Sequence, residues 1–169
     1  MRKIYYTYVL RQSRLSVIWF VLLTGCNRGA HPDLINHPAP QFTVQDDQQT
    51  LALSNFRGKV VVLNFWATWC PPCLEEMPSL VAMQERLKDH VVVIAVSLDE
   101  DEETYRQFLT EHQVKLLTIR DAKQNSNRLY GTFRFPETYI VDRSGILRRK
   151  FVGPTDWTGP EVMDYLSKL

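Results

Sequence analysis

The stretch "NFWATWCPPCLEEMP", Asn64–Pro78, carries two of the three cysteines of the chain, spaced as Cys70-x-x-Cys73. It grows out of "VVVLNF", Val60–Phe65, an almost unbroken apolar run, and continues into "CLEEMPSLVAMQERLKD", where apolar residues recur at helical spacing. The pair therefore stands where a buried strand gives way to a helix, with Cys70 just outside the helical pattern and Cys73 at its start. Exposed N–H groups and the positive end of the helix dipole favour a thiolate at such a junction. Pro71 and Pro72 suit the opening of a helix and hold Cys70 outside its hydrogen-bonded ladder, where it can be attacked. With two residues between them the sulfurs can close a small ring, and closing or opening that ring transfers two electrons.

A metal site and a structural staple compete with the redox reading. A structural zinc takes about four ligands, and the chain has no second Cys-x-x-Cys to complete a set. His90 and His112 stand alone at predicted helix ends, and His31 and His37 fall in a proline-containing linker. No metal and no cofactor are expected. A stapled scaffold would hold more cysteines than this.

The third cysteine belongs to a different kind of sequence. "MRKIYYTYVLRQSR" holds four basic and no acidic residues and runs into the apolar "LSVIWFVLL" before "TGC". This is the grammar of a secretory signal. An uncleaved anchor is the alternative, but a span takes about 20 predominantly apolar residues and this run is bounded by Arg14 and Cys26. The ending "LLTGC" resembles the lipobox of bacterial lipoprotein signals, which implies that Cys26 is lipidated and becomes the first mature residue. The expected organisation is a signal peptide over 1–25, an extended proline-containing tether over 26–39, and one domain over 40–169. Discounting the four basic residues of the signal leaves 16 against 19 acidic ones, a net charge of −3. That balance argues against nucleic acid as a partner. The basic run "RRK", Arg148–Lys150, lies in a predicted strand and is read as a solvated edge rather than a binding patch.

Within the domain, "QFTV" and "TLALSNF" flank the polar turn "QDDQQ" and predict a short two-stranded lead-in. "VVVLNF" and "VVVIAVSL", separated by the helical stretch, are apolar without alternation and predict parallel strands covered on both faces, joined as a right-handed βαβ unit. An acidic helix start "DEDEETYRQFLTEH", a short strand "KLLTI" and a helical "NSNRLYG" follow. "ETYIVD" and "ILRRKFV", joined through "RSG", predict an antiparallel hairpin. The terminal "TGPEVMDYLSKL" predicts a helix, with Thr158 and Glu161 at capping-box spacing and Pro160 in the first turn.

From about Ala39 to the C-terminus these motifs resemble the thioredoxin superfamily, and within it the membrane-tethered TlpA, ResA and CcmG/DsbE-like thiol-disulfide oxidoreductases. "LSNFRGKVVVLNFWATWCPPCLEEMPSL", with Pro78 inside the helix, and "FPETYIVDRSG" carry the likeness. The resemblance implies an α/β thioredoxin fold: a central mixed sheet flanked by helices, with an N-terminal β extension and a βα insertion. It makes Cys70 the attacking and Cys73 the resolving cysteine. Pro136 becomes a cis-proline lying against the disulfide and presenting the backbone of Phe135 to an extended substrate; taken alone, Pro136 would read as a trans proline at a strand start. Glu76 becomes a glutamate that serves the cysteines, where position alone would make it a first-turn acid complementing the helix dipole. Asn64 stands where cytoplasmic thioredoxins carry a buried aspartate. Trp66 reads as core, and Trp69, beside the attacking sulfur, as a packing or a partner-contact residue.

The resemblance further implies a lipid-anchored, extracytoplasmic enzyme, at the periplasmic face of a bacterial membrane or the cell surface, that reduces protein disulfides and exchanges with dithiol clients. Its electrons would come from a membrane thiol transporter, and its client would be the Cys-x-x-Cys-His haem site of apocytochrome c. Two alternatives stay open: a general extracytoplasmic reductase feeding a peroxidase or a repair system, and a redox-inert or copper-handling module on the same fold.

Overall fold

The computed structural model describes residues 34–169. The expected signal peptide and Cys26 lie outside the described residues. Two short strands, β1 (Thr43–Gln45) and β2 (Thr50–Ala52), pair antiparallel as the lead-in, and a 3-10 turn over Leu53–Phe56 brings the chain to β3 (Val60–Trp66). There follow α1 (Pro71–Leu87), β4 (Val91–Ser97), α2 (Glu102–Glu111), β5 (Leu117–Arg120), α3 (Asn125–Tyr130), β6 (Glu137–Val141), β7 (Leu147–Val152) and α4 (Pro160–Ser167). The main sheet has the order β5-β4-β3-β6-β7. Strands β3, β4 and β5 run parallel, while β6 and β7 are antiparallel to their neighbours, so the sheet is mixed.

Every residue of β3 is buried because the strand is covered on both faces. Val60, Val62 and Trp66 join one core, formed with Met77, Leu80 and Met83 of α1 and Val162 and Leu166 of α4. Val61, Leu63 and Phe65 join the other, under the lead-in hairpin and Tyr130 of α3. The period of two along an extended chain makes this division, and it points Asn64 to the same face as α1. Trp66 is core, as its position implied.

Four local expectations are corrected. Helix α1 begins at Pro71, two residues before Cys73, because the fixed φ of proline suits the first helical position. The capping box does not form: Pro160 in the first turn makes Gly159 the N-cap, Thr158 Oγ1 donates instead to Asp156 (2.6 Å), and Glu161 pairs with Arg149 (3.3 Å). The basic run is on the edge strand β7, but Lys150 reaches inward to the buried Glu137 (3.1 Å) and Arg148 binds Asp142 (2.7 Å). Finally, residues 34–39, read as tether, are bound to the domain. The N–H of Asn36 donates to the Leu147 carbonyl (2.7 Å), that of Ala39 to the Gly145 carbonyl (3.0 Å), and Ala39 is buried. An apolar residue and matching backbone groups dock this piece on the β6–β7 turn.

Candidate active site

Past Trp66 the chain leaves β3 through Ala67, Thr68 and Trp69 to reach Cys70. A buried carboxylate holds this short connection. The Thr68 hydroxyl and backbone N–H donate to Asp99 (2.6 and 3.1 Å), which also accepts from the Ser97 hydroxyl (2.6 Å). Asp99 follows the C-terminal end of β4, where parallel sheets place functional groups; that position, directly after "VVVIAVSL", is the signal by which the sequence could have shown it. We expect Asp99→Ala to cost about 2 kcal/mol, because the backbone N–H of Thr68 loses its acceptor, and to raise the rate of amide exchange at Thr68. Denaturant unfolding and hydrogen exchange measure the two effects.

Cys70 is the N-cap of α1, with no side-chain cap, and Pro71 and Pro72 fill the first helical positions. The N–H groups of Cys73 and Leu74 both turn back to the Cys70 carbonyl (3.0 and 3.3 Å). The two sulfurs are joined, 2.06 Å apart. Although Cys70 was expected to be open to attack, it is only 5% exposed against 1% for Cys73, because both sit in the α1-side core with Phe135 packed against it. The Phe135–Pro136 bond is cis. The Trp69 ring meets Phe135 edge-on, 5.9 Å between centroids, and remains 61% exposed, which leaves most of it free for contact with another molecule.

Three residues beyond Cys73, on the buried side of α1, lies a second buried carboxylate. Glu76, on α1, accepts from Asn64 Nδ2 (2.8 Å), the Thr155 N–H (3.0 Å) and Trp157 Nε1 (3.1 Å). Asn64 also donates to Thr138 Oγ1 (2.9 Å). Burial raises the pKa of Glu76, and the three donors, led by Trp157, pull it partly back. The asparagine thus orients the glutamate. Thr155 and Trp157 carried no signal in the sequence, standing about 80 residues away with no periodic relation to the helix. Nor did Glu137, fully buried beside Pro136, whose carboxylate accepts from Tyr139 (2.9 Å) and pairs with Lys150.

A Cys-x-x-Cys disulfide at the N-terminus of a helix, with a cis-proline just before β6 of a mixed sheet, defines a thioredoxin-fold thiol-disulfide oxidoreductase. The AhpC/TSA family matches residues 35–150. The chain is 36% identical over 127 residues to the thiol:disulfide interchange protein DsbE of Pseudomonas aeruginosa, covering 73% of this chain and 69% of that one. It is 31% identical over 137 residues to the thiol-disulfide oxidoreductase ResA of Bacillus thuringiensis subsp. konkukian, covering 80% and 78%. The crystal structure of the exposed lipoprotein thioredoxin of Streptococcus pneumoniae strain TIGR4 superposes with a TM-score of 0.68 at 25% identity, covering 77% of this chain and 100% of that one. The protein belongs to the AhpC/TSA family, among its thiol-disulfide oxidoreductases of the DsbE and ResA type.

Proposed function

We propose that this oxidoreductase is a lipid-anchored reductant of protein disulfides outside the cytoplasm. The observation that carries the direction is the opening of α1. Two prolines remove the first two helical N–H groups, and the next two are engaged by the Cys70 carbonyl. A Cys70 thiolate therefore receives little of the stabilisation that turns related pairs into oxidants. The measured potential is expected closer to about −270 mV than to about −120 mV; a value near the upper figure, from equilibration with glutathione, would make the protein an oxidant instead.

In the forward reaction the Cys70 thiolate attacks one sulfur of a client disulfide, forming a mixed disulfide and releasing one client thiolate, which is protonated. The Cys73 thiol loses its proton and attacks Cys70 Sγ. The Cys70–Cys73 bond closes, the second client thiolate leaves, and two electrons have passed to the client. Glu76, one helical turn from Cys73 and with a raised pKa, accepts and returns that proton. Trp69, Phe135 and Pro136 bind the client beside the disulfide. The client we infer from the family resemblance is the Cys-x-x-Cys-His segment of apocytochrome c, with a membrane thiol transporter returning the electrons.

Among the described residues no helix is long and apolar enough to cross a membrane, and the anchor we propose is lipid on Cys26. The likeness to an exposed lipoprotein thioredoxin supports it. Residues 36–39 dock on the β6–β7 turn, at the end of the sheet opposite Cys70. Cys26→Ala is expected to abolish incorporation of labelled fatty acid; a mutant that still incorporates it would remove the lipoprotein assignment.

A further inference from the structure

The large hydrophobic side chains that stand exposed among the described residues are Trp69, Leu129, Phe133 and Val152, each 47% exposed or more. Phe133 and Val152 lie with Lys150 toward the Tyr139 face of the sheet, Leu129 is on α3, and Trp69 meets Phe135, which packs against the cores on both faces. Trp69 adjoins Cys70. Val152 ends β7 opposite Glu137, next to Pro136, whose carbonyl accepts from the Gly153 N–H (2.9 Å). Leu129 lies near the end of α3, and Phe133 lies in the loop running from α3 to Pro136.

The loop that carries Phe133 is also charged. The Arg134 guanidinium lies 5.5 Å from the centre of the Phe133 ring, and the Lys150 ammonium lies 6.0 Å from it. Lys150 is paired with Glu137, whereas neither Arg134 nor Arg128 has a carboxylate within ion-pair distance among the described residues. Arg57, Arg86 and Arg143 are likewise without an ion pair among the described residues, so what sets Arg134 apart is its place next to Phe135, whose ring meets Trp69. On the opposite side of β3, the connection from β4 to α2 exposes Glu100 and Asp101, and the first turn of α2 exposes Glu103. The loop before Pro136 is thus basic and aromatic, and the connection after β4 is acidic.

We propose that the loop over Gly131–Phe135 selects clients whose disulfide is flanked by acidic residues. An extended client segment laid along Phe135 would place apolar side chains on Trp69 and Phe133 and carboxylates against Arg134, while the β4–α2 connection repels the same charges and fixes the direction in which the segment lies. This rests on the disulfide-exchange reading and adds the chemical class of the client.

The test uses the reduced protein and two synthetic peptides of equal length, each closed by a Cys-x-x-Cys disulfide and flanked by three glutamates or three lysines. A small aromatic disulfide is the third substrate. At low ionic strength the glutamate peptide is expected to be reduced about five- to tenfold faster than the lysine peptide, with the gap narrowing in 0.5 M salt. Arg134→Glu should abolish or invert the preference, Arg134→Gln should reduce it, and Phe133→Ser should slow both peptides. Equal rates for the two peptides, a preference that survives Arg134→Glu, or turnover of the small disulfide without either peptide would overturn the docking proposal alone. Failure to reduce all three substrates faster than the Cys70→Ser protein would overturn the disulfide-exchange reading itself.

Discussion

Cys73→Ser is expected to accumulate mixed disulfides through Cys70, while Cys70→Ser accumulates none and exchanges disulfides at the background rate. The asymmetry follows from where the two sulfurs stand. Cys70 is the N-cap, outside the helical ladder and the more exposed of the two; Cys73 is inside the first turn and almost wholly buried. Only Cys70 can be reached by a client, at the edge where Trp69 and Phe135 meet. Cys73 needs to reach only Cys70, and the existing bond between them shows that no rearrangement of the helix is required. Well-oriented intramolecular attack of this kind carries effective molarities up to about 10⁵ M or more, so losing it should lengthen the life of the mixed disulfide by at least about 10³-fold. Non-reducing electrophoresis with mass spectrometry of the trapped partner measures both variants and identifies the client. Equal adduct yields from the two would refute the assignment of attacking and resolving roles.

Glu76→Ala is expected to lower stability by about 3 kcal/mol, since it leaves the donors of Asn64, Thr155 and Trp157 without an acceptor in a buried site. Glu76→Gln should cost far less. Asn64 Oδ1 is buried without a partner, so turning over its amide would offer an acceptor to the new glutamine N–H₂ group while the glutamine oxygen keeps Thr155 and Trp157. The two variants also separate in their pH dependence. Burial raises the pKa of Glu76 in the folded state, so the protonated carboxyl is favoured on folding. The resulting stabilisation is complete below about 4.5, the ordinary glutamate value, and is lost as pH rises through the raised folded value. Wild type should therefore lose stability across that window, and Glu76→Gln should not. If the proton of Cys73 passes to Glu76, the pH profile of Cys70 alkylation shifts in Glu76→Gln as well. An unchanged profile together with a lower Tm would leave Glu76 as a structural acceptor.

The sequence by itself determined the elements and the reactive pair. Continuous apolar runs, helical spacing and the Asp142–Gly145 turn are properties of neighbouring residues, so β3, β4, α1, α2 and the β6–β7 hairpin were legible, as was a disulfide ring closed over two intervening residues. The cis Phe135–Pro136 bond and a special role for Glu76 were visible only through family resemblance. What surrounds the pair was decided by tertiary structure alone. Asn64 faces Glu76 because β3 alternates its sides and α1 lies on one of them. Thr155 and Trp157 meet the same carboxylate only after β6, β7 and α4 have been placed. Asp99 reaches Thr68 because β3 and β4 pair in a register that sets Trp66 opposite Ser97, and the capping box failed because Pro160 moved the cap to Gly159. A local pattern is written in the repeat of the backbone; a hydrogen bond to a buried carboxylate depends on which distant strand and loop arrive beside it, and that is set by sheet order and register.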